Sequence, residues 1–171
     1  MKTVLLLVLS LAAAPAWAQM QPPPPTFAEL RTSGAESPLS FNGANIIVLH
    51  TTDSAGVAYR GVVRAFLAAG FGLDKTNREA LFVNTSPRPC KGDVTVTAQA
   101  VVEPEAAGSK IIISGVLAWA TAEIIMRGAG QQLSAVKCHG MKGSPARSAW
   151  DALESVASAY PAAKMGYAMR P

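Results

Sequence analysis

The chain has 171 residues, of which 50% are hydrophobic and 15% are charged, and its formal net charge is +4. This length suits a single domain. The small positive excess fits weak attraction to anionic surfaces and gives no argument for a nucleic-acid partner. The apolar stretch from Ile111 to Met126 is interrupted by polar residues, so it is better explained as strand than as a membrane span.

The first 18 residues have the order of a cleavable secretory signal peptide. Lys2 supplies a positive charge, an apolar run follows from Val4 to Ala14, and Ala16-Trp17-Ala18 places small residues where a signal peptidase requires them. The run is too short to span a membrane, which takes about 20 apolar residues, and no cysteine for lipidation follows it. We therefore predict cleavage after Ala18, a periplasmic or secreted product, and no transmembrane segment after signal removal.

A flexible, proline-rich arm is predicted over residues 19–45. The four consecutive prolines Pro22–Pro25 favour an extended polyproline II segment, and polar sequence continues to about Asn45. A spacer explains this composition better than a ligand for a proline-recognising groove.

The clearest local pattern after the arm is a strand followed by a helix. The run from Ile46 to Leu49 predicts a buried strand, and the segment Thr51–Ser54 is rich in side chains that cap helices. From Ala55 onward, apolar residues recur at three- and four-residue spacing up to Gly70, which predicts a helix ending there.

Several strands and a second helix are predicted next. The second helix begins after Ser144-Pro145 and ends before Pro161, and residues 161–171 are predicted to be a loose tail. The strands are predicted at residues 71–74, 80–85, 93–102 and 110–118, with weaker signals at 124–126 and 135–136. The order β-α-β-β-β-(β)-α predicts an α+β domain over residues 46–160, with two helices packed on one face of a single antiparallel sheet.

The two cysteines, Cys90 and Cys138, are predicted to form a disulfide in an oxidising compartment. Such a bridge could stabilise the fold by about 3–4 kcal/mol. The alternative is a metal site that adds His50 and His139. Zinc sites usually show paired short spacings that this chain lacks, so no metal site and no cofactor are predicted.

Two groups of residues contain the side-chain types that catalysis uses. His50, Asp53 and Ser54 could act as base, orienter and nucleophile, but helix capping explains Asp53 and Ser54. Cys138 and His139 are sequence neighbours whose side chains point apart, and a disulfide would consume the thiol. No catalytic residue is predicted, and the protein is expected to be non-enzymatic.

Parts of the sequence resemble a pattern found in small exported bacterial envelope proteins and lipoproteins, most of them uncharacterised. The stretches concerned are Thr51–Ser54, Ala58–Arg60, Gly70–Asp74 and Gly143–Pro145 with Trp150. Such proteins are distantly similar to the helix-grip, or TATA-binding-protein-like, domains of the C lipoprotein of the outer-membrane barrel-assembly machinery. The resemblance covers about residues 46–160 and implies a non-enzymatic domain of β-α-β-β-β-α type, and it brings no site residues with it.

The function expected from these observations is an exported envelope accessory or binding module. Its partner would be an unknown envelope protein or surface component, held at a sheet edge or on an exposed sheet face. A carrier for a small apolar ligand or lipid is the alternative. A hydrolase that uses His50 or His139 is a further, less favoured one.

Overall fold

The computed structural model describes residues 36–119, 132–161 and 163–170. The predicted signal peptide, the Pro22–Pro25 segment and the strand predicted at residues 124–126 lie outside the described residues. In order, the elements are β1 (Ile46–Thr51), α1 (Ala55–Ala68), β2 (Leu73–Asn77), β3 (Phe82–Thr85), β4 (Arg88–Cys90), β5 (Val94–Glu105), β6 (Gly108–Trp119), β7 (Gln132–Ala135), α2 (Pro145–Ala159) and β8 (Lys164–Ala168).

The eight strands of the described residues form one antiparallel sheet. Its centre is the hairpin of β5 and β6, which have 12 residues each. From edge to edge the order is β2-β3-β5-β6-β1-β8, with β4 beside the start of β5 and β7 beside the end of β6. The predicted α+β class with a single antiparallel sheet is confirmed.

Both helices pack on the same face of the sheet, here called the inner face. Buried residues of α1 and α2 share one apolar cluster with alternate residues of β1, β5 and β6. On β5 the inner residues include Val94, Val96 and Ala98, and the side chains between them are half-buried on the opposite, outer face. Trp150 and Phe66 fill the space between helices and sheet, with 0% of their surface exposed. Burial of these apolar side chains is the main driving force for the fold.

Helix α1 lies where the sequence predicts it, although its first turn differs in detail. Ser54 occupies the N-cap position, but its side chain makes no capping hydrogen bond. At the other end, Gly70 adopts a φ of +79°, and the Phe71 N–H donates to the Phe66 carbonyl at 2.9 Å. This left-handed glycine closes the helix, as expected for a glycine just beyond the last turn.

Helix α2 begins as the sequence predicts. Ser144 is the N-cap, its Oγ accepts a hydrogen bond from the Arg147 N–H at 3.2 Å, and Pro145 occupies the first helical position. The first turn of α2 therefore has a fixed position, which matters because Arg147 lies in it.

The prediction of a loose tail over residues 161–171 is wrong for its central part. Lys164–Ala168 forms β8, which pairs with β1 and places Gly166 opposite Val48. This segment contains a glycine and no β-branched residue, so its sequence alone does not favour a strand. Pairing with β1 and the packing of Met165 and Tyr167 against the core provide the missing stabilisation.

The ordered domain also begins earlier than the predicted end of the flexible arm at residue 45. Ser37 and Tyr167 exchange two backbone hydrogen bonds of 2.8 Å, so Ser37 pairs with the outer edge of β8. Phe41 packs against the core and Ala44 is fully buried. Single apolar residues in a polar stretch have no periodicity, so this packing cannot be predicted from the sequence pattern.

Candidate functional site

The outer face of the sheet carries a half-exposed polar area at its centre. Thr95, Thr97 and Gln99 project there from β5, and Ser114 and Val116 lie opposite them on β6. Gln99 Nε2 donates to Ser114 Oγ at 3.2 Å, so the two strands are also linked through their side chains. We call these five residues the polar platform.

Beside the polar platform lies a second, smaller apolar cluster. It contains Ile46, Val48, Ile112 and Ala168, each with at most 2% of its surface exposed. Ile112 faces Val48 on one side and Val101 on the other. The outer face is therefore divided into a half-exposed polar part and a buried apolar part.

His50 lies at the outer end of β1 within a group of charged side chains. Its Nε2 is 2.8 Å from Glu36 Oε2 and its Nδ1 is 3.3 Å from Glu105 Oε2. Glu36 also forms a 2.7 Å ion pair with Lys110 Nζ. The Glu36 carboxylate reaches these partners across Gly166, where an added Cβ would lie 3.3 Å from its oxygen. His50 makes no hydrogen bond to Asp53 or Ser54 within the described residues, so the predicted catalytic group is not assembled.

The contacts of His50 and Glu36 shift their pKa values in opposite directions. The hydrogen bond to Glu36 raises the pKa of His50, and the hydrogen bond to Glu105 adds to that effect, although burial opposes it. Burial disfavours the charged form of Glu36, but the hydrogen bonds from Lys110 and His50 together outweigh it and lower the pKa of Glu36. Both shifts favour the ion pair, which links residues before β1 to the sheet.

Asp53 contacts the end of the second helix. Tyr160 Oη donates a 2.7 Å hydrogen bond to Asp53 Oδ2, and Ser109 Oγ donates to the Asp53 carbonyl at 2.8 Å. Burial and this bond to Asp53 raise the pKa of Tyr160 to about 12. Asp53 thus joins the segment before α1 to the end of α2 and to the β5–β6 hairpin, instead of capping α1 as predicted.

Cys138 lies beside an arginine, and no contact joins its thiol to the neighbouring histidine. Its Sγ is 3.3 Å from Arg147 Nη1 and 3.1 Å from Ser40 Oγ. Arg147 is itself oriented by Asp151, whose Oδ1 accepts from Nε at 2.7 Å. His139 is exposed, and its Nδ1 lies 3.5 Å from the Lys137 carbonyl oxygen.

The predicted disulfide is not present, because Cys90 and Cys138 are both free. Cys90 ends β4 opposite Val94, and the next residue, Lys91, donates its N–H to Ser148 Oγ on α2. Cys138 is instead held by segments around Ser40 and Arg147. The two thiols therefore have different neighbours. Burial raises the pKa of the Cys90 thiol, and the nearby Arg88 cation offsets part of this rise.

The described residues contain neither a metal-binding cluster nor a helix that could cross a membrane. No cluster of three or more His, Cys, Asp or Glu side chains in this part of the chain could hold a metal ion, so the combination of His50, His139 and the two cysteines is not brought together. No helix in the same residues has the length and apolar character needed to cross a membrane.

The sequence did not predict which side chains contact His50, Asp53 and Cys138. Arg147 and Asp151 have the i,i+4 spacing of a helical ion pair, which is a signal that could have been used. The contacts of His50 with Glu36 and of Asp53 with Tyr160 carry no such signal, because they join residues that are distant in the chain.

Fold and geometry together define a small α+β domain with helices on one face of the sheet and a polar platform on the other. No protein-family model matches the chain, and no curated protein matches its sequence.

Proposed function

We propose that this protein is a non-enzymatic accessory or binding module of the bacterial cell envelope, exported by its leader, and that its partner contacts the outer face of the sheet. The observation that carries the proposal is the asymmetry of the sheet. Both helices cover the inner face, whereas Thr95, Thr97 and Gln99 are only partly buried at the centre of the outer one.

The polar platform suits a protein partner. Its side chains lie on two long paired strands, and four of the five carry hydroxyl or amide groups for hydrogen bonding. Protein interfaces of standard size bury about 800 Å² on each side, so a protein partner would contact neighbouring surface as well as the platform.

The contacts of the candidate catalytic side chains favour a structural role for these residues. Asp53 accepts a hydrogen bond from Tyr160, and His50 lies between two carboxylates. The Cys138 thiol accepts a hydrogen bond from Arg147. These contacts join segments that are distant in the chain, which argues for stabilisation of the fold rather than for a hydrolase.

A carrier of an apolar ligand is the second reading. Such a protein needs an apolar cavity of several hundred Å³. The space between helices and sheet is instead filled by large side chains that include Trp150, Phe66, Phe71 and Leu153, each at most 2% exposed. This packing favours the binding module over the carrier.

The order of elements also supports the distant resemblance to helix-grip domains. A helix follows the first strand, a run of antiparallel strands comes next, and a second helix packs beside the first. The resemblance stays a proposal. It favours an envelope partner over an extracellular one.

Affinity capture from an envelope extract tests the proposed binding surface. We expect the tagged protein to retain one or a few specific partners and Thr97→Arg, which places a long charged side chain on the platform, to lose them. The matched control is Arg60→Glu on the exposed side of α1, which should retain them. Equal capture by wild type and Thr97→Arg would contradict the proposal.

The proposed location is tested separately. Expression in a bacterial host with subcellular fractionation, followed by measurement of the intact mass, should give a periplasmic or secreted protein that starts at Gln19. A cytoplasmic protein that retains Met1 would exclude export and leave the binding surface to be judged on its own test.

A further inference from the structure

The loop from Lys137 to Gly143 is both basic and exposed. Its side chains include two lysines, a histidine and a methionine, and none is acidic. Every residue except Cys138 is exposed, and Met141 reaches 84% exposure at the tip. We call this segment the basic loop.

The backbone holds the basic loop in a defined shape. Cys138 anchors it, because its N–H donates to the Ala44 carbonyl at 2.7 Å and its carbonyl accepts from the Gly43 N–H at 2.9 Å. Gly140 and Gly143 have φ values of +88° and +86°, which glycine adopts without strain. The Ser144 N–H closes the turn onto the Met141 carbonyl at 3.0 Å. Met141 is therefore presented to solvent by a fixed turn.

Other apolar and basic side chains lie around the anchor of the basic loop. A Cβ added to Gly43 would lie 3.4 Å from the Met169 sulfur, so the two residues are neighbours, and Met169 is 50% exposed. Leu39, 75% exposed, directly precedes Ser40, whose hydroxyl contacts Cys138. Lys91 Nζ approaches Gly143 from the turn before β5. Exposed apolar side chains and ammonium groups thus occur together at this end of the domain.

The nearest carboxylates on α2 do not neutralise these lysines. Asp151 and Glu154 both pair with Arg147, at 2.7 and 3.5 Å. Asp93 lies near Lys91 in sequence and removes at most one of the positive charges. The basic loop keeps a positive excess next to its apolar tip.

From this combination we infer that the basic loop is a docking site for an anionic phospholipid membrane, with Met141 entering the headgroup region and Lys137 and Lys142 contacting phosphates. Amphipathic surfaces of this composition bind lipid interfaces through buried apolar area plus attraction to anionic headgroups. A stable protein interface takes about 800 Å² per partner, more than a seven-residue loop offers, whereas a bilayer accepts a single protruding side chain. The choice of a membrane rests on the proposed envelope location, and the loop shares no residue with the polar platform, although it follows β7, which pairs with Val116.

Flotation with vesicles of phosphatidylglycerol and phosphatidylethanolamine tests this docking site, with phosphatidylcholine vesicles as the neutral reference. We expect the purified protein to float only with the anionic vesicles and to be released by 0.5 M salt, because screening weakens attraction to the surface. A lysine near an anionic surface contributes about fivefold in partitioning, so Lys137→Gln with Lys142→Gln should reduce binding about 25-fold. Met141→Ser should reduce it about tenfold through lost apolar burial.

Variants at exposed positions outside the basic loop test whether vesicle binding depends on this loop or only on the overall charge of the protein. Lys75→Gln with Arg78→Gln removes two exposed positive charges around the end of β2, and Leu67→Ser removes an apolar side chain that is 54% exposed. Both should bind as wild type does, and circular dichroism confirms that each variant folds. The inference is overturned by equal binding to both vesicle types, by no vesicle binding, by equal loss in the control variants, or by basic-loop-dependent capture of an acidic protein without vesicle binding. Purified vesicles contain no cellular partner, so failure here leaves the capture test of the polar platform unaffected.

Discussion

The ionisation of His50 depends on two carboxylates from distant parts of the chain. Because contact with Glu36 raises its pKa above 6.5, the stabilisation from this ion pair is fully present below pH 6.5 and is lost as the pH rises through the pKa of the folded state. The pair is partly exposed, so its contribution should be about 1 kcal/mol or less. Urea unfolding of wild type and His50→Gln should therefore show a larger difference in unfolding free energy at pH 5.5 than at pH 8.5. A difference that does not change with pH would contradict this reading of the contact.

Tyr160 should lose its proton at a pH well above that of an ordinary tyrosine. Its pKa is about 12 because the phenol is buried and donates to Asp53, so the stabilising contact is complete below pH 10 and is lost as the pH rises toward 12. Absorbance titration near 295 nm should show a late phenolate that is missing in Tyr160→Phe. Burial also raises the pKa of Tyr167, which makes the Tyr160→Phe comparison the necessary control. An unchanged titration curve in that variant would exclude the assignment.

The state of the cysteines can be counted directly. The structure has two free thiols, one half-buried and one buried, so a thiol reagent should react with two groups per chain after unfolding without reductant. Cys90→Ser and Cys138→Ser should each leave one. A count of zero in the wild type would instead support the disulfide that the sequence predicts.

At the level of elements, the two helices meet where α1 carries a glycine. A Cβ at Gly61 would lie 2.5 Å from Cε2 of Tyr160, at the end of α2, whereas one at Gly56 would meet only the flexible end of Arg60 at 3.9 Å. Alanine normally stabilises a helix by about 0.5–1 kcal/mol over glycine. We expect that gain for Gly56→Ala and a net loss of about 1–2 kcal/mol for Gly61→Ala, because overpacking costs more. Thermal or urea unfolding measures both, and equal stabilisation would show that the helices are not in close contact there.

The elements differ in how well their sequences specify them. Helix α1, the alternating strand β5 and the cap of α2 have strong periodic or capping signals, and all three are where the sequence predicts them. The strand predicted at residues 71–74 is shorter than β2, which extends to Asn77 as an exposed edge strand that needs no apolar face. The turn follows it, and Leu81 takes a φ of +51° there, which no local pattern indicates.

For the whole molecule, the sequence predicted the fold class and the side of the sheet that the helices cover. It did not predict which polar side chains meet. Glu36 lies in a stretch whose composition suggests a flexible arm, and it reaches His50 only because Ser37 pairs with β8. That strand was itself missed, since Gly166 and its neighbours have weak strand preference. Long-range pairing decides both features, and long-range pairing is what local patterns omit.

The two faces of the sheet differ in what covers them. The inner face is covered by the helices, whereas on the outer face the polar platform stays partly exposed beside a buried apolar cluster. The basic loop begins two residues after Ala135, which pairs with Val116 of the platform, so a membrane at the loop and a protein at the platform would be neighbours.

Photo-crosslinking in living cells tests whether a partner contacts the outer face of the sheet. A photoreactive amino acid would replace Thr97 or Gln99 on the platform, and Arg60 or Arg64 on the exposed side of α1 would serve as matched controls. The account predicts a discrete crosslinked product from the two platform positions and none from the helix positions. Crosslinks from α1 with none from the platform would contradict it.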